Sequence, residues 1–283
     1  MNKSAVRKRT DALTVFCYVA IIVLFIIELL PSLYGLITSV KVEEDVLISA
    51  ASLIPKRITF DNYIKVFSDT TNIPVVRWFF NSMSIAILYV LSYVLVTSLA
   101  AYGFARLKFK GSEIIFWICM LSMMVPGVIN MIPNYVMIYK LGLVNNKLAM
   151  ILPGLSGVFG VFLLRQFMMG IPKEYDEAAK IDGASKLRIY AKIILPMCLP
   201  VLVTLSIFSF QGNWNDYLWP LMVTSETDAY TITAGLRNVS DYYSAQYGKQ
   251  MALAMANALP VLLIFLFGQK YFIKGIAVGG VKG

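Results

Sequence analysis

The chain has 283 residues, 58% of them hydrophobic, a mean hydropathy of +0.71 and a formal net charge of +9. A soluble domain does not conceal that much apolar surface, and the length admits about six spans of roughly 20 residues with connecting loops. There is no histidine, and the three cysteines, Cys17, Cys119 and Cys198, lie far apart in apolar stretches. This excludes His-based metal centres, Ser-His-Asp and Cys-His nucleophile pairs and histidine pH switches, and leaves the cysteines as packing residues.

The opening MNKSAVRKRT sets Lys3, Arg7, Lys8 and Arg9 ahead of an apolar run over about 12–37. That run exceeds the apolar part of a signal peptide, and no clean small-x-small cleavage pattern follows it. The expectation is an uncleaved first span with its N-terminus in the cytoplasm. Glu28 falls inside this span. An intramembrane carboxylate can mark function; the favoured reading is that it turns to the bundle or reaches the outer surface. Residues 38–77 are polar and mixed, with Glu43-Glu44-Asp45, Pro55 and Asp61-Asn62-Tyr63, and read as an external loop with short helices.

A second span over about 78–101 is followed by the basic turn RLKFKG. A third, over about 114–132, is interrupted at Pro126-Gly127 and closed by Pro133. The fourth, over about 148–168, holds Gly154, Gly157 and Gly160, a spacing that thins one helix face for close backbone contact.

The most charged long run is IPKEYDEAAKIDGASKLRIYAKIILPMCLP at 171–200. Pro172 suits a first helical turn, and Glu174, Asp176 and Glu177 put negative charge at the positive end of a helix dipole. Ala178 and Ala179 offer a bare face. Asp182-Gly183 reads as a helix stop with left-handed glycine, and Ser185 as the cap of a second helix. Two short helices therefore link the fourth span to a fifth, over about 193–213. Residues 221–249 form an external region rich in tyrosine (Tyr230, Tyr242, Tyr243, Tyr247), before a sixth span over about 250–272 and the tail KGIAVGGVKG.

With both termini inside, 14 of the 25 Lys and Arg fall in cytoplasmic segments and nine in external ones, with Arg165 and Lys270 at the cytoplasmic ends of spans. The excess is in short loops, where the positive-inside rule applies. The 171–192 loop is thereby placed in the cytoplasm, where ATP is.

Residues Glu177-Ala178-Ala179, Gly183 and Ile193-Ile194-Leu195-Pro196 resemble the EAA loop of ABC importer permeases. The fuller pattern E-A-A-x-I-D-G-A with L-P-x-x-x-P looks like the carbohydrate, maltose-type branch, and the likeness extends from about Asn81 to Gly283, through WNDYLWPL and QKYFIKGIAVGGVKG. The resemblance implies an all-α membrane protein with the six-helix, type 1 ABC importer permease fold. Its parts would be an N-terminal tail, first span and external loop over 1–76, a transmembrane core over 77–272, and a cytoplasmic tail over 273–283.

It also implies partners: a second permease forming a heterodimer, two ABC ATPase subunits, an external solute-binding protein, a sugar substrate and the lipid bilayer, with no nucleic acid. Glu177, Ala178, Ala179, Asp182, Gly183 and Ala184 would couple to the ATPase, and Gly279, Gly280, Lys282 and Gly283 would form a second, tail contact. No GxxxxGK[ST] phosphate loop occurs, so ATP and Mg²⁺ are expected on the partner ATPase, with no cofactor and no enzymatic activity in this chain.

Gln211, Asn213, Trp214, Asn215, Asp216 and Tyr217 combine amides, a carboxylate and aromatic rings, a set suited to sugar hydroxyls and C–H faces. They are candidate substrate-pathway residues, although Trp and Tyr also concentrate where spans meet water. The tyrosine-rich external region is the expected contact for the solute-binding protein.

The expectation is a permease importing a sugar or oligosaccharide across the bacterial cell membrane by alternating access. An ion-driven secondary transporter would show several intramembrane acids or bases and an internal repeat; only Glu28 qualifies, and no convincing repeat is seen. An ABC permease for a non-sugar solute stays open, because the loop motif is shared beyond its sugar-type elaboration. A membrane enzyme ranks last.

Overall fold

The computed structural model describes residues 3–48, 54–70, 73–107, 109–244 and 246–280. They are helical almost throughout. Three helices are long and apolar enough to cross a membrane, within Ala12–Ser39, Val75–Arg106 and Tyr247–Gln269. Three bent helix pairs pass the same test, giving six if each pair is one span, and the pairs are numbered below as crossings on that count alone.

Two compact units emerge, Met1–Ile73 with Asn238–Ala256, and Pro74–Arg237 with Asn257–Gly283. In the first, α1 (Lys3–Ser39) is followed by α2 (Glu43–Ile48) and α3 (Asp61–Ser68). The buried Asn62 amide holds the turn out of α1 by donating to Ser39 O at 2.9 Å and Lys41 O at 2.8 Å. The acidic run at 43–45 is structural here. Glu43 accepts the backbone N–H groups of Tyr247 and Gly248 at 2.8 and 3.1 Å, at the start of a later helix where N–H groups lack intrahelical partners. Glu44 and Asp45 pair with Arg57. Glu28 is exposed on α1 and does not face a bundle within this unit.

The second unit is built around α4 (Val75–Arg106). The third crossing pairs α5 (Ser112–Ser122) with a single-turn segment at Gly127–Asn130 and α6 (Met131–Lys140), bent by 95°. The interruption at Pro126 is as expected, but Pro133 does not close the span. It occupies the first turn of α6, where its missing N–H costs nothing.

The fourth crossing joins α7 (Lys147–Ile151) and a turn at Leu152–Ser156 to α8 (Val158–Gly170), bent by 47° at Gly157, whose φ −39° and ψ 68° leave the helical region. Here the glycine face does what its spacing implied. A Cβ on Gly154, Gly157 or Gly160 would stand within 2.7 Å of the Tyr89 or Tyr93 side chain of α4.

After α9 (Glu174–Ile181), the fifth crossing starts earlier than expected. It runs from α10 (Lys186–Ile189) through a widened π turn at Tyr190–Ile194 into α11 (Leu195–Met197), then bends by 78° at Cys198 into α12 (Leu199–Trp214). Pro196 and Pro200 have no N–H to donate to the carbonyls four residues back, which interrupts the regular helical ladder on either side of the bend.

Then come α13 (Leu218–Val223), α14 (Ile232–Tyr242) and α15 (Tyr247–Gly280). The expected external loop at 221–249 thus contains a helix, and Tyr243 within it is buried, whereas Tyr242 and Tyr247 are exposed. The tail, read as flexible from its glycines, continues α15 as helix through Gly279 and Gly280; Lys282 and Gly283 lie outside the described residues.

Candidate functional site

The segment between α8 and α12 is fixed by its own backbone. Lys173 precedes the first turn of α9, so Pro172 sits one residue outside the helix rather than in it. At the other end Gly183 has φ +77°, the left-handed stop expected of it. Its N–H donates to Lys180 O at 3.0 Å, and Ala184 N–H donates to Ala179 O at 2.9 Å. These are the two bonds of a Schellman turn, and Ala179 and Ala184 supply the apolar contact beneath it, in one cluster. Ser185 Oγ then accepts Arg188 N–H at 3.3 Å and opens α10.

The two alanines do not share a face. Ala179 is buried with Tyr102, Met168, Ile171, Ile189 and Tyr190, whereas Ala178 is exposed with Glu177, Asp182 and Gly183. The outward surface carries three apolar side chains that sequence reasoning missed, Tyr175 (50% exposed), Ile181 (87%) and Leu187 (67%). Tyr175, Ala178 and Ile181 recur every third residue, and that period was the available signal. Asp176 was also misread, as one more dipole charge. It is buried against Arg106, at 3.3 Å.

The six residues at the end of α12 do not form one site. Gln211 and Asn215, four apart and on one stripe, line a cavity of about 400 Å³ with Ile207, Phe210, Ala258 and Leu262. Asn213 and Asp216 face a second cavity of about 420 Å³, with Tyr89, Asn134, Gly154 and Trp219. Trp214 belongs to the core. It is 1% exposed, its ring stacks on Phe210 at 5.4 Å, and its Nε1 donates to Asn257 O at 3.0 Å. Tyr217 is half-buried at the turn into α13.

The second cavity has the chemistry the cluster promised, from partly different residues. Trp219 fixes its ring by donating Nε1 to Ala149 O at 2.8 Å, which leaves the indole faces for contact. Asn134, Asn213 and Asp216 offer polar groups, and Tyr89 donates to Gly154 O at 3.3 Å.

Burial pushes the Asp216 carboxyl above the usual carboxylate range, while the backbone N–H groups of Trp219 and Tyr217 pull it back. A carboxyl raised in this way contributes stability that is fully present below its unfolded pKa. That contribution is lost as pH rises through the folded pKa. Asp216→Asn should therefore raise the midpoint of thermal unfolding in detergent more at pH 7.5 than at pH 4; an equal shift at both would refute this.

A polar recess of about 220 Å³ lies at the Val75 end of α4, lined by Arg77, Asn81, Asn145, Lys147, Glu226 and Asp228. Asn145 takes φ +61° and accepts the Ser225 and Glu226 N–H groups at 2.7 and 3.2 Å.

Residues 94–277 match the family described as binding-protein-dependent transport system inner membrane component. The chain belongs to that family.

This permease is 34% identical over 270 residues to an arabinooligosaccharides transport system permease protein of Halalkalibacterium halodurans, covering 95% of this chain and 94% of the relative. It is 34% identical over 237 residues to a galactooligosaccharides transport system permease protein of Bacillus subtilis, covering 83% and 84%.

Among solved structures, its fold resembles a chain of a bacterial ABC transporter involved in the import of the acidic polysaccharide alginate. The TM-score is 0.78 with 21% identity, covering 93% of this chain and 98% of that one. It also resembles a chain of an alginate ABC transporter in complex with alginate pentasaccharide-bound periplasmic protein, with a TM-score of 0.67 and 18% identity over 92% and 94% of the two chains. The permease thus has the type 1 ABC importer fold expected of it and is a multi-pass membrane protein of a binding-protein-dependent ABC importer. In such a transporter ATP hydrolysis is the work of separate subunits.

Proposed function

We propose that this permease carries a sugar or oligosaccharide inward across a bacterial cell membrane by alternating access, paired with a second, different permease subunit. An external solute-binding protein delivers the sugar, and two partner ATPase subunits bind ATP and Mg²⁺ on the cytoplasmic side. Both termini face the cytoplasm, as the basic bias of the short loops supports. The observation that carries the substrate class is the near full-length similarity to an arabinooligosaccharide permease.

Within this reading the α9 surface, with Glu177, Ala178, Asp182 and Gly183 at its rim and Tyr175 and Ile181 at its centre, docks on the ATPase. Ala179 and Ala184 seat that helix from below, and the end of α15 at Gly279 and Gly280, with Lys282 and Gly283 beyond, supplies a second contact. The cavity at Asn213, Asp216, Tyr89 and Trp219 lies on the sugar's route; Gln211 and Asn215 line a separate wall of that route, and Trp214 and Tyr217 hold the helix end in place.

The test is purification from native membranes in mild detergent, mass spectrometry of what stays bound, and reconstitution into liposomes. The expected result is a second permease and a P-loop ATPase, with ATP-dependent uptake of labelled arabino- or galactooligosaccharide that requires a binding protein. A lone chain driving uptake under an ion gradient without ATP would overturn the proposal. Uptake of peptides in place of sugars would overturn the substrate class alone.

A further inference from the structure

We propose that α4 carries the movement of the 171–194 segment across the protein, and that Ser98, Tyr102 and Arg106 are the positioning residues that fasten it there. This rests on the coupling role proposed above for that segment. The three residues recur every four positions and so stack on one stripe of the helix. Each engages a different part of the segment. Ser98 Oγ and Tyr190 Oη share a hydrogen bond at 2.8 Å. Tyr102 Oη donates to Lys186 O at 3.1 Å. Arg106 donates one Nη to Ile171 O at 2.7 Å and brings the other to 3.3 Å from Asp176 Oδ2.

These contacts differ from surface decoration in their burial. The Arg106 and Asp176 side chains are 5% and 10% exposed. Arg106 Nε and Asp176 Oδ2 have no hydrogen-bond partner, so charge attraction rather than hydrogen-bond geometry holds this pair. Replacing either member alone would leave the other as an uncompensated buried charge between α9 and α4. The entrance to α9, the entrance to α10 and the π turn that follows are therefore bound to one helix as a set.

The far end of α4 is fastened as well. Trp78 Nε1 donates to Thr227 O at 2.7 Å, and Asn81 Nδ2 donates to Asp228 O at 2.8 Å and Tyr230 O at 3.1 Å. Arg77 pairs with Asp228, and Ile232 N–H donates to Ser82 Oγ at 2.8 Å. The whole of α4, which carries both sets of bonds, runs 32 residues without a break, about 48 Å at 1.5 Å per residue. The helix pairs packed on it through α8 and α12 change direction by 47° and 78°. The unbroken helix is the element in this unit that links the 171–194 segment to the 226–232 segment.

The experiment uses the complete transporter in liposomes, with both permeases, the ATPases and the binding protein, and reads sugar imported per ATP hydrolysed. Arg106→Gln should retain the ATPases through purification yet lower that ratio by roughly three- to thirtyfold, the range seen when residues along a coupling route are altered. Exchanging the charges, Arg106→Asp with Asp176→Arg, should restore most of it. Tyr102→Phe, which deletes only a hydroxyl, should move the ratio in the same direction and keeps the proposal testable if Arg106→Gln does not assemble. An unchanged ratio in Arg106→Gln or Tyr102→Phe, beside a lowered one in Gly183→Pro, overturns the role of α4 and leaves the coupling segment standing. An unchanged ratio in Gly183→Pro as well overturns the coupling reading itself.

Discussion

Gly183→Pro is expected to yield a permease that inserts, folds and keeps its partners but no longer turns ATP hydrolysis into import. Gly183 holds φ at +77°, and the proline ring locks φ near −65°. The substitution also deletes the N–H that donates to Lys180 O, one of the two bonds of the turn. A proline whose ring cannot adopt the native φ destabilises by more than the roughly 0.4–1 kcal/mol it would contribute at a compatible site. Nothing lies within 4 Å of a Cβ at this position, so the damage is to backbone direction and not to packing. What changes is the angle between α9, which presents Tyr175 and Ile181, and α10, which leads into the membrane. Gly183→Asn, able to adopt the left-handed conformation, should keep most of the uptake. Uptake and ATPase rates measured on the same liposomes decide it, and wild-type import by a well-inserted Gly183→Pro protein would remove the coupling assignment.

Gly157→Val is expected to have its effect on assembly. A Cβ there would stand 2.0 Å from Cε2 of Tyr93 and 2.5 Å from its Cζ. The Tyr93 ring is buried and packs on Tyr89 with centroids 5.6 Å apart, so it has little room to swing. Overpacking of this kind costs about 1–3 kcal/mol, and the two further methyl groups of valine add to the crowding against the ring. The α4–α8 contact should loosen, with most of the protein lost during detergent extraction. Tyr93→Ala in the same chain should recover it by vacating the space. Size-exclusion profiles of the two variants measure this, and a normal profile for Gly157→Val alone would show that the glycine is not needed for close approach.

Both positions were legible because local chemistry dictates them. An Asp-Gly pair after an amphipathic turn has few ways to end a helix, and glycines three apart mark one face. Arg106 and Asp176 were not legible as a pair. Seventy residues separate them, and Asp176 sits among acids that a helix dipole already explains. The stretch from Gln211 to Tyr217 was misleading for a related reason: neighbours in sequence point to different sides of a helix, so its polar groups divide between two cavities while Trp214 enters the core. Tyr89, Asn134 and Trp219 complete the second cavity from three other elements, and no spacing rule links them. Breaks were half legible. Pro126 stood out, but Pro133 fits a first turn as well as a stop, and the bend at Cys198 arises from two prolines acting together.

The apolar surface of α1 is exposed along its whole membrane-length window, none of it buried inside the protein, whereas 28% of the α4 window is buried. Its backbone groups are paired within the helix itself except at Pro31, which cannot donate to the Ile27 carbonyl, so it comes close to the condition hydrocarbon imposes. Such a segment can leave the insertion machinery and settle in lipid while the remainder is still being synthesised. The three bent pairs break their helices, and non-helical backbone at membrane depth is tolerated only where protein or water lies beside it. A helix like α1 can anchor in lipid by itself, whereas the bent pairs need neighbouring helices beside them when they enter it.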